Sequence, residues 1–183
     1  DTSTPSTGWV GLRAVLEGIP KDGFTQPNSE VWRLHLPALT WNGSVGEMEG
    51  QPPQGQGELD SAKLSQFVQL MLKVGRRPEV LASRVVGKLG LPYALARMSL
   101  QGMGGDFSSS TFTGNQAWQE RLYEVILELK EDRSEEFFKA LKSQLTEMGV
   151  HIEKLGKTGS GRLILRNSNS ENQLSLSTQE LQQ

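Results

Sequence analysis

The stretch Arg121–Lys130, RLYEVILELK, decides how the chain reads. Tyr123, Val125, Leu127 and Leu129 fall on one face, and Glu124, Glu128 and Lys130 on the other. That is the period of a half-buried strand. On this pattern the two glutamates form a solvated face rather than a catalytic pair. Asp132, with Glu135 after it, fits a capping box. Phe137, Phe138, Leu141, Leu145 and Met148 follow at helical spacing, and Gly149 closes the helix. VHIEKL (150–155) and RLILR (162–166) are two further strands, so this end of the chain predicts β-α-β-β. The helix stripe must pack on the sheet, because it cannot stay in water.

Between those strands lies GKTGSG (156–161), which contains the Gly-Lys-Thr of a phosphate-binding loop. Such a loop needs an earlier glycine, at the position that His151 occupies, and a helix directly after it. Here a β-branched and apolar run follows, so the segment reads as a hairpin turn rich in glycine.

N-terminal to this unit, EVWRLHLPALTW (30–41) alternates, with Trp32, Leu34 and Leu36 on one face and Val31, Arg33 and His35 on the other. WVGLRAVLEG (9–18) is also strand-like. Residues 1–8 read as a flexible polar lead and 42–58, rich in Gly, Pro and Gln, as a mobile loop. Asp60 is a plausible N-cap for a helix through Leu64, Phe67, Val68, Met71 and Leu72 that stops at Gly75. Pro78 suits the start of a second helix with Leu81, Val85 and Leu89 as its stripe. Pro92 opens a third, through Leu95 to Leu100. GGDFSSSTFTGN (104–115) reads as a loop, its Phe107 and Phe112 either tucked into the core or exposed to a partner or bilayer. Residues 167–183 are a polar, low-complexity tail, expected to be disordered. The fold class expected is α+β: one domain over 9–166, an antiparallel sheet with helices packed on it.

The chain has 183 residues, a formal net charge of −2 and no cysteine. Disulfides and cysteine-ligated metals are excluded. No apolar run is long enough to span a membrane. The chain has only two histidines, His35 and His151, each in a strand without a second ligand at metal spacing. No nucleophile elbow occurs. No catalytic residue, metal or cofactor is therefore expected. Charge is unevenly spread. Lys73, Arg76, Arg77, Arg84 and Lys88 lie close together with a single acid, Glu79, while residues 120–136 are rich in Glu. Such a basic block suits phosphates or an acidic neighbour.

EEFFKALKSQLTEMGVHIEKLGKTGSGRLILRNS (135–168) resembles the end of animal rhabdovirus matrix proteins, as does the strand before it. The resemblance implies a non-enzymatic structural protein that self-associates, lines an anionic membrane surface and condenses the nucleocapsid, with no small-molecule substrate. It places the protein in the virion and the host cytoplasm. The slight acidity, and Pro52-Pro53 without a following tyrosine, would suit a plant-virus branch. On this reading the basic residues contact phosphates or acidic neighbours, and Phe107 and Phe112 dock on a partner or bilayer. The alternatives are a cellular adaptor domain that binds one partner, and an enzyme with dispersed catalytic residues and a perturbed titratable group in a polar pocket.

Overall fold

The computed structural model describes residues 18–36, 60–87, 89–112, 117–118, 123–159, 161–169 and 173–182. The expected lead (1–8), the strand-like 9–17 and the loop 42–58 lie outside them. The elements are β1 (Glu30–His35), α1 (Ser61–Gly75), β2 (Val80–Val85), α2 (Gly90–Ser99), β3 (Gly105–Ser109), β4 (Glu124–Leu129), α3 (Ser134–Glu147), β5 (His151–Thr158), β6 (Arg162–Asn167) and β7 (Gln173–Ser177), with a closing 3₁₀ turn. The seven strands form one sheet in the order β2-β4-β1-β5-β3-β6-β7. All pairings are antiparallel except β3 with β6. The fold is thus a single α+β domain, as its alternating patterns predict.

Both faces of the sheet are covered. α1 and α3 lie on one, where Leu34, Phe67, Val74, Leu127, Phe137 and Leu141 close a core. α2 lies on the other, with Phe24, Ala82, Leu95, Phe107, Ile126 and Leu163. β4 is therefore buried along its whole length. Glu124 and Glu128 are not solvated as the alternation suggests, because α2 and the segment before β1 cover their face. The Glu128 carboxylate accepts from the Thr25 and Gln26 N–H groups and the Thr25 hydroxyl. Burial raises its pKa, although those hydrogen bonds oppose the rise.

Asp60 caps α1 as predicted, accepting from Lys63 N at 2.9 Å. The second predicted helix is instead the edge strand β2. Its valines suit a pleated surface, and pairing with β4 outweighs the start signal of Pro78. The predicted loop at 104–115 contains β3. The hairpin expected at 156–161 does not form: Gly156–Thr158 belong to β5, and β5 and β6 are not neighbours, since β3 lies between them. Glycines permit that insertion. A Cβ on Gly156 would lie 2.0 Å from Asp106 O. The polar C-terminal segment is also ordered in part. β7 pairs with β6, and Gln182 Nε2 donates to Leu100 O at 2.6 Å. Its alternating Leu174 and Leu176 complete the sheet edge.

Glu30 begins β1. Burial pushes its carboxyl up, but hydrogen bonds from Lys154, Ser134 and Trp32, with the Lys154 charge, leave it below its ordinary 4.5. A depressed carboxylate contributes stability above its unfolded pKa and loses it as pH falls through the folded value. Glu30→Gln should therefore lower the urea midpoint at pH 7, and the gap to the native chain should close below pH 4.5. An equal gap at both pH values would refute this linkage.

Candidate functional site

The sheet register brings polar side chains together on the α2 face, near the ends of β1 and β3 and the starts of β4 and β5. One transverse row is Arg84, Ile126, Arg33 and Glu153. The next contains Glu124, His35 and His151. Beside Glu124, Val86 N–H donates to the Glu124 carbonyl at 2.9 Å. Arg33 joins the rows. Its Nε lies 2.5 Å from Glu124 Oε1 and its Nη1 2.8 Å from Glu153 Oε2. The Ser109 hydroxyl, at the end of β3, donates to Glu153 Oε1 at 2.7 Å. Thr111 Oγ1 is 2.9 Å from Ser109 Oγ. The His35 and His151 rings sit edge to face with centroids 5.4 Å apart.

This network has a closed floor and an open rim. The Arg33 and Glu124 side chains are each 1 % exposed, whereas Glu153 is 28 % exposed. His151 is exposed, and His35 and Thr111 are half-buried. Arg33 Nη2 is buried and meets no acceptor among the described residues. A buried ion network of this kind contributes little net stability, since desolvation offsets the Coulomb attraction. Among the described residues, no group of three or more His, Asp or Glu side chains could hold a metal ion.

The corner between β2 and α2 is the second feature. Leu89 and Gly90 both adopt positive φ, at 64° and 67°, to turn the chain into α2. Among the described residues no side chain caps that helix; the Gly90 N–H donates to Gly87 O at 3.0 Å, and Pro92 has no N–H to offer. Arg84, on β2, is half-buried on the same face, with Nη1 3.4 Å from Asp22 O.

The five basic residues of the sequence do not form one face. Lys73 and Arg76 are exposed at the end of α1, on the opposite side of the sheet from Arg84. Arg77 pairs with Glu79 at 2.8 Å. Lys88 lies outside the described residues. Phe107 is fully buried against Phe24, with ring centroids 5.4 Å apart, so it cannot dock on a partner or bilayer. It points inward because β3 alternates, as a loop would not. Phe112 is half-buried against the same core. The residues that sequence reasoning missed are Arg33, Glu124, Glu153, Ser109 and Thr111. One signal was available: charges of opposite sign on the alternating faces of two strands, Arg33 and Glu124, can cancel if the strands are neighbours and both faces are buried.

No known protein family matches the sequence, and no curated protein is significantly similar to it. Similarity to solved structures is found in the fold. Thermotoga maritima PurL complexed with FGAR is 8 % identical with a TM-score of 0.69, over 91 % of this chain and 30 % of PurL. The PurL complex with ATP gives 0.66 over 91 % and 28 % of the two chains, again at 8 % identity. The hydrogenase maturation protein HypE is 16 % identical with a TM-score of 0.58, over 89 % of this chain and 56 % of HypE. The chain thus spans less than a third of PurL and just over half of HypE. These likenesses overturn the resemblance to viral matrix proteins, which rested on a short, loosely patterned segment. With it go the self-associating, membrane-lining and nucleocapsid-binding roles. The expectations of no enzyme and no small-molecule substrate are corrected too, because the structural neighbours are enzymes solved with ATP or FGAR. What the chain has is the fold of part of PurL and of HypE.

Proposed function

We propose that this chain is a ligand-binding domain of an ATP-using enzyme, and that it holds nucleotide phosphates at the β2–α2 corner. The observation that carries this reading is the likeness of its fold to PurL in complexes with ATP and ADP, over 91 % of this chain. Arg84 on the adjoining strand supports it, with Lys88 between the two elements in sequence. Lys73, Arg76 and Arg77 are then contacts for an acidic neighbouring domain.

Titration with ADP and the analogue AMPPCP tests the reading. Near one hundred times its Kd, a bound nucleotide adds about 2.7 kcal/mol of stability, which shows as a higher melting temperature. Arg84→Ala removes a charge-assisted contact and should weaken ADP binding roughly tenfold without lowering the ligand-free melting temperature by much. If ADP, ATP and AMPPCP give neither heat nor a melting shift through the millimolar range, the proposal fails.

A further inference from the structure

We infer that the outer face of α1, where its last turn meets Pro20, docks an acidic amphipathic helix of a protein partner. Helix geometry supplies the first argument. At 3.6 residues per turn, Val68, Leu72 and Gly75 fall within about 60° of one another on α1. Phe67, Leu70 and Val74 take the opposite side and face the core. Val68 and Leu72, one turn apart, are left 45 % and 49 % exposed. Pro20 closes the end of this stripe, since a Cβ on Gly75 would lie 3.7 Å from Pro20 Cγ. Ile19, its neighbour in the chain, is 41 % exposed. Backbone bonds fix that segment beside the helix: Lys21 N–H donates to Leu81 O at 2.9 Å, and Lys21 O accepts from Ser83 N at 2.8 Å.

Charge supplies the second. Lys73 and Arg76 flank the stripe, Lys21 lies at its end, and all three are exposed. None of them makes an ion pair or a side-chain hydrogen bond among the described residues, whereas Arg77 is held by Glu79. The run from Ser61 to Pro78 contains no acidic residue, so α1 cannot satisfy its own cations. An apolar centre with a cationic rim matches a helix that carries apolar residues one turn apart and glutamates beside them. The exposed stripe is narrow, because the other apolar residues of α1 face the sheet. That width suits a seam against one helix, whereas a bilayer takes a broader apolar face. The inference rests on the acidic contact proposed above for Lys73 and Arg76, and not on nucleotide binding.

A peptide repeating Leu-Glu-Glu-Leu-Glu-Glu-Glu is the probe, and its twin with lysine for every glutamate is the control. Each is added to the full chain with isotope-labelled methyl groups and followed by NMR. The acidic peptide should move the Ile19, Val68 and Leu72 methyl signals, and the lysine twin should not. Leu72→Gln, at an exposed position, should weaken binding about fivefold or more at an unchanged melting temperature. Should that variant fail to fold, Arg76→Glu is the second test. It should weaken binding by about fivefold at low salt and reduce its salt dependence. The inference is overturned by no methyl shift, by equal shifts from both peptides, or by binding that neither variant weakens. A stronger response of the same methyl groups to phosphatidylserine vesicles would overturn it in favour of a lipid surface. ADP binding without a peptide response removes this inference alone, and a peptide response without ADP binding removes only the nucleotide reading.

Discussion

Arg33→Met should lower the stability of the chain by about 3–5 kcal/mol, the usual loss when one partner of a buried ion pair is removed. The methionine fills much of the same volume, so the loss is mainly electrostatic. Glu124, 1 % exposed and 2.5 Å from Arg33 Nε, would lose the Arg33 charge from its buried surroundings. Glu153 suffers less, because it is 28 % exposed and keeps the Ser109 hydroxyl. A double variant separates charge from packing. Arg33→Met with Glu124→Gln removes both buried charges and should recover a large part of the loss. Urea unfolding of the native, single and double variants measures this. A double variant as unstable as the sum of its single changes would show that packing, not charge, is at stake.

Gly104→Ala is expected to be at least as damaging, for a steric reason. Gly104 leads into β3 where that strand meets β6. A Cβ there would lie 1.9 Å from Arg162 O, 2.3 Å from Arg162 C and 2.8 Å from Leu163 N. All three are backbone atoms, so no rotamer change relieves the clash. Either β3 and β6 separate or the strands around them shift. A loss of about 4 kcal/mol or more is expected, a large part of the stability of an ordinary domain. Gly87→Ala is the control. Among the described residues beyond its chain neighbours, no atom lies within 4 Å of its Cβ position, and its φ is not in the left-handed region. That change should be neutral or stabilising by about 0.4–1 kcal/mol. Similar melting temperatures for the two variants would mean that β3 and β6 are not packed this closely.

The second prediction depends on β3, an element hardly legible in the chain. GGDFSSS has one large apolar residue among glycines and serines, a composition that reads as loop. Its strand character comes from its neighbours. β5 and β6 supply hydrogen bonds on either side, and the glycines let three backbones approach. β2 was misread for a related reason. Pro78 and the spacing of Leu81, Val85 and Leu89 mimic a helix, and only pairing with β4 makes the segment a strand. In the site, Arg33 and His35 read only as the second face of an alternating strand, and Glu153 as one residue of another. Nothing local shows that β1 lies between β4 and β5, or that their second face is covered.

Local patterns were sufficient for much of the rest. Apolar periodicity located β1, α1, β4, α3, β5 and β6 and the approximate extent of α2, but the capping box expected at Asp132 does not form: Arg133 precedes α3 without a side-chain cap bond, and Asp132 has φ 59°. Periodicity also predicted the α+β class, because alternation and helical spacing follow directly from backbone geometry. Strand order, the parallel β3–β6 pairing and the ion network arise from contacts between residues far apart in the chain. Periodicity separates the two faces of a strand but does not say whether one or both are buried. Here α2 covers the second face, so Glu124 and Arg33 neutralise each other in the interior instead of facing water.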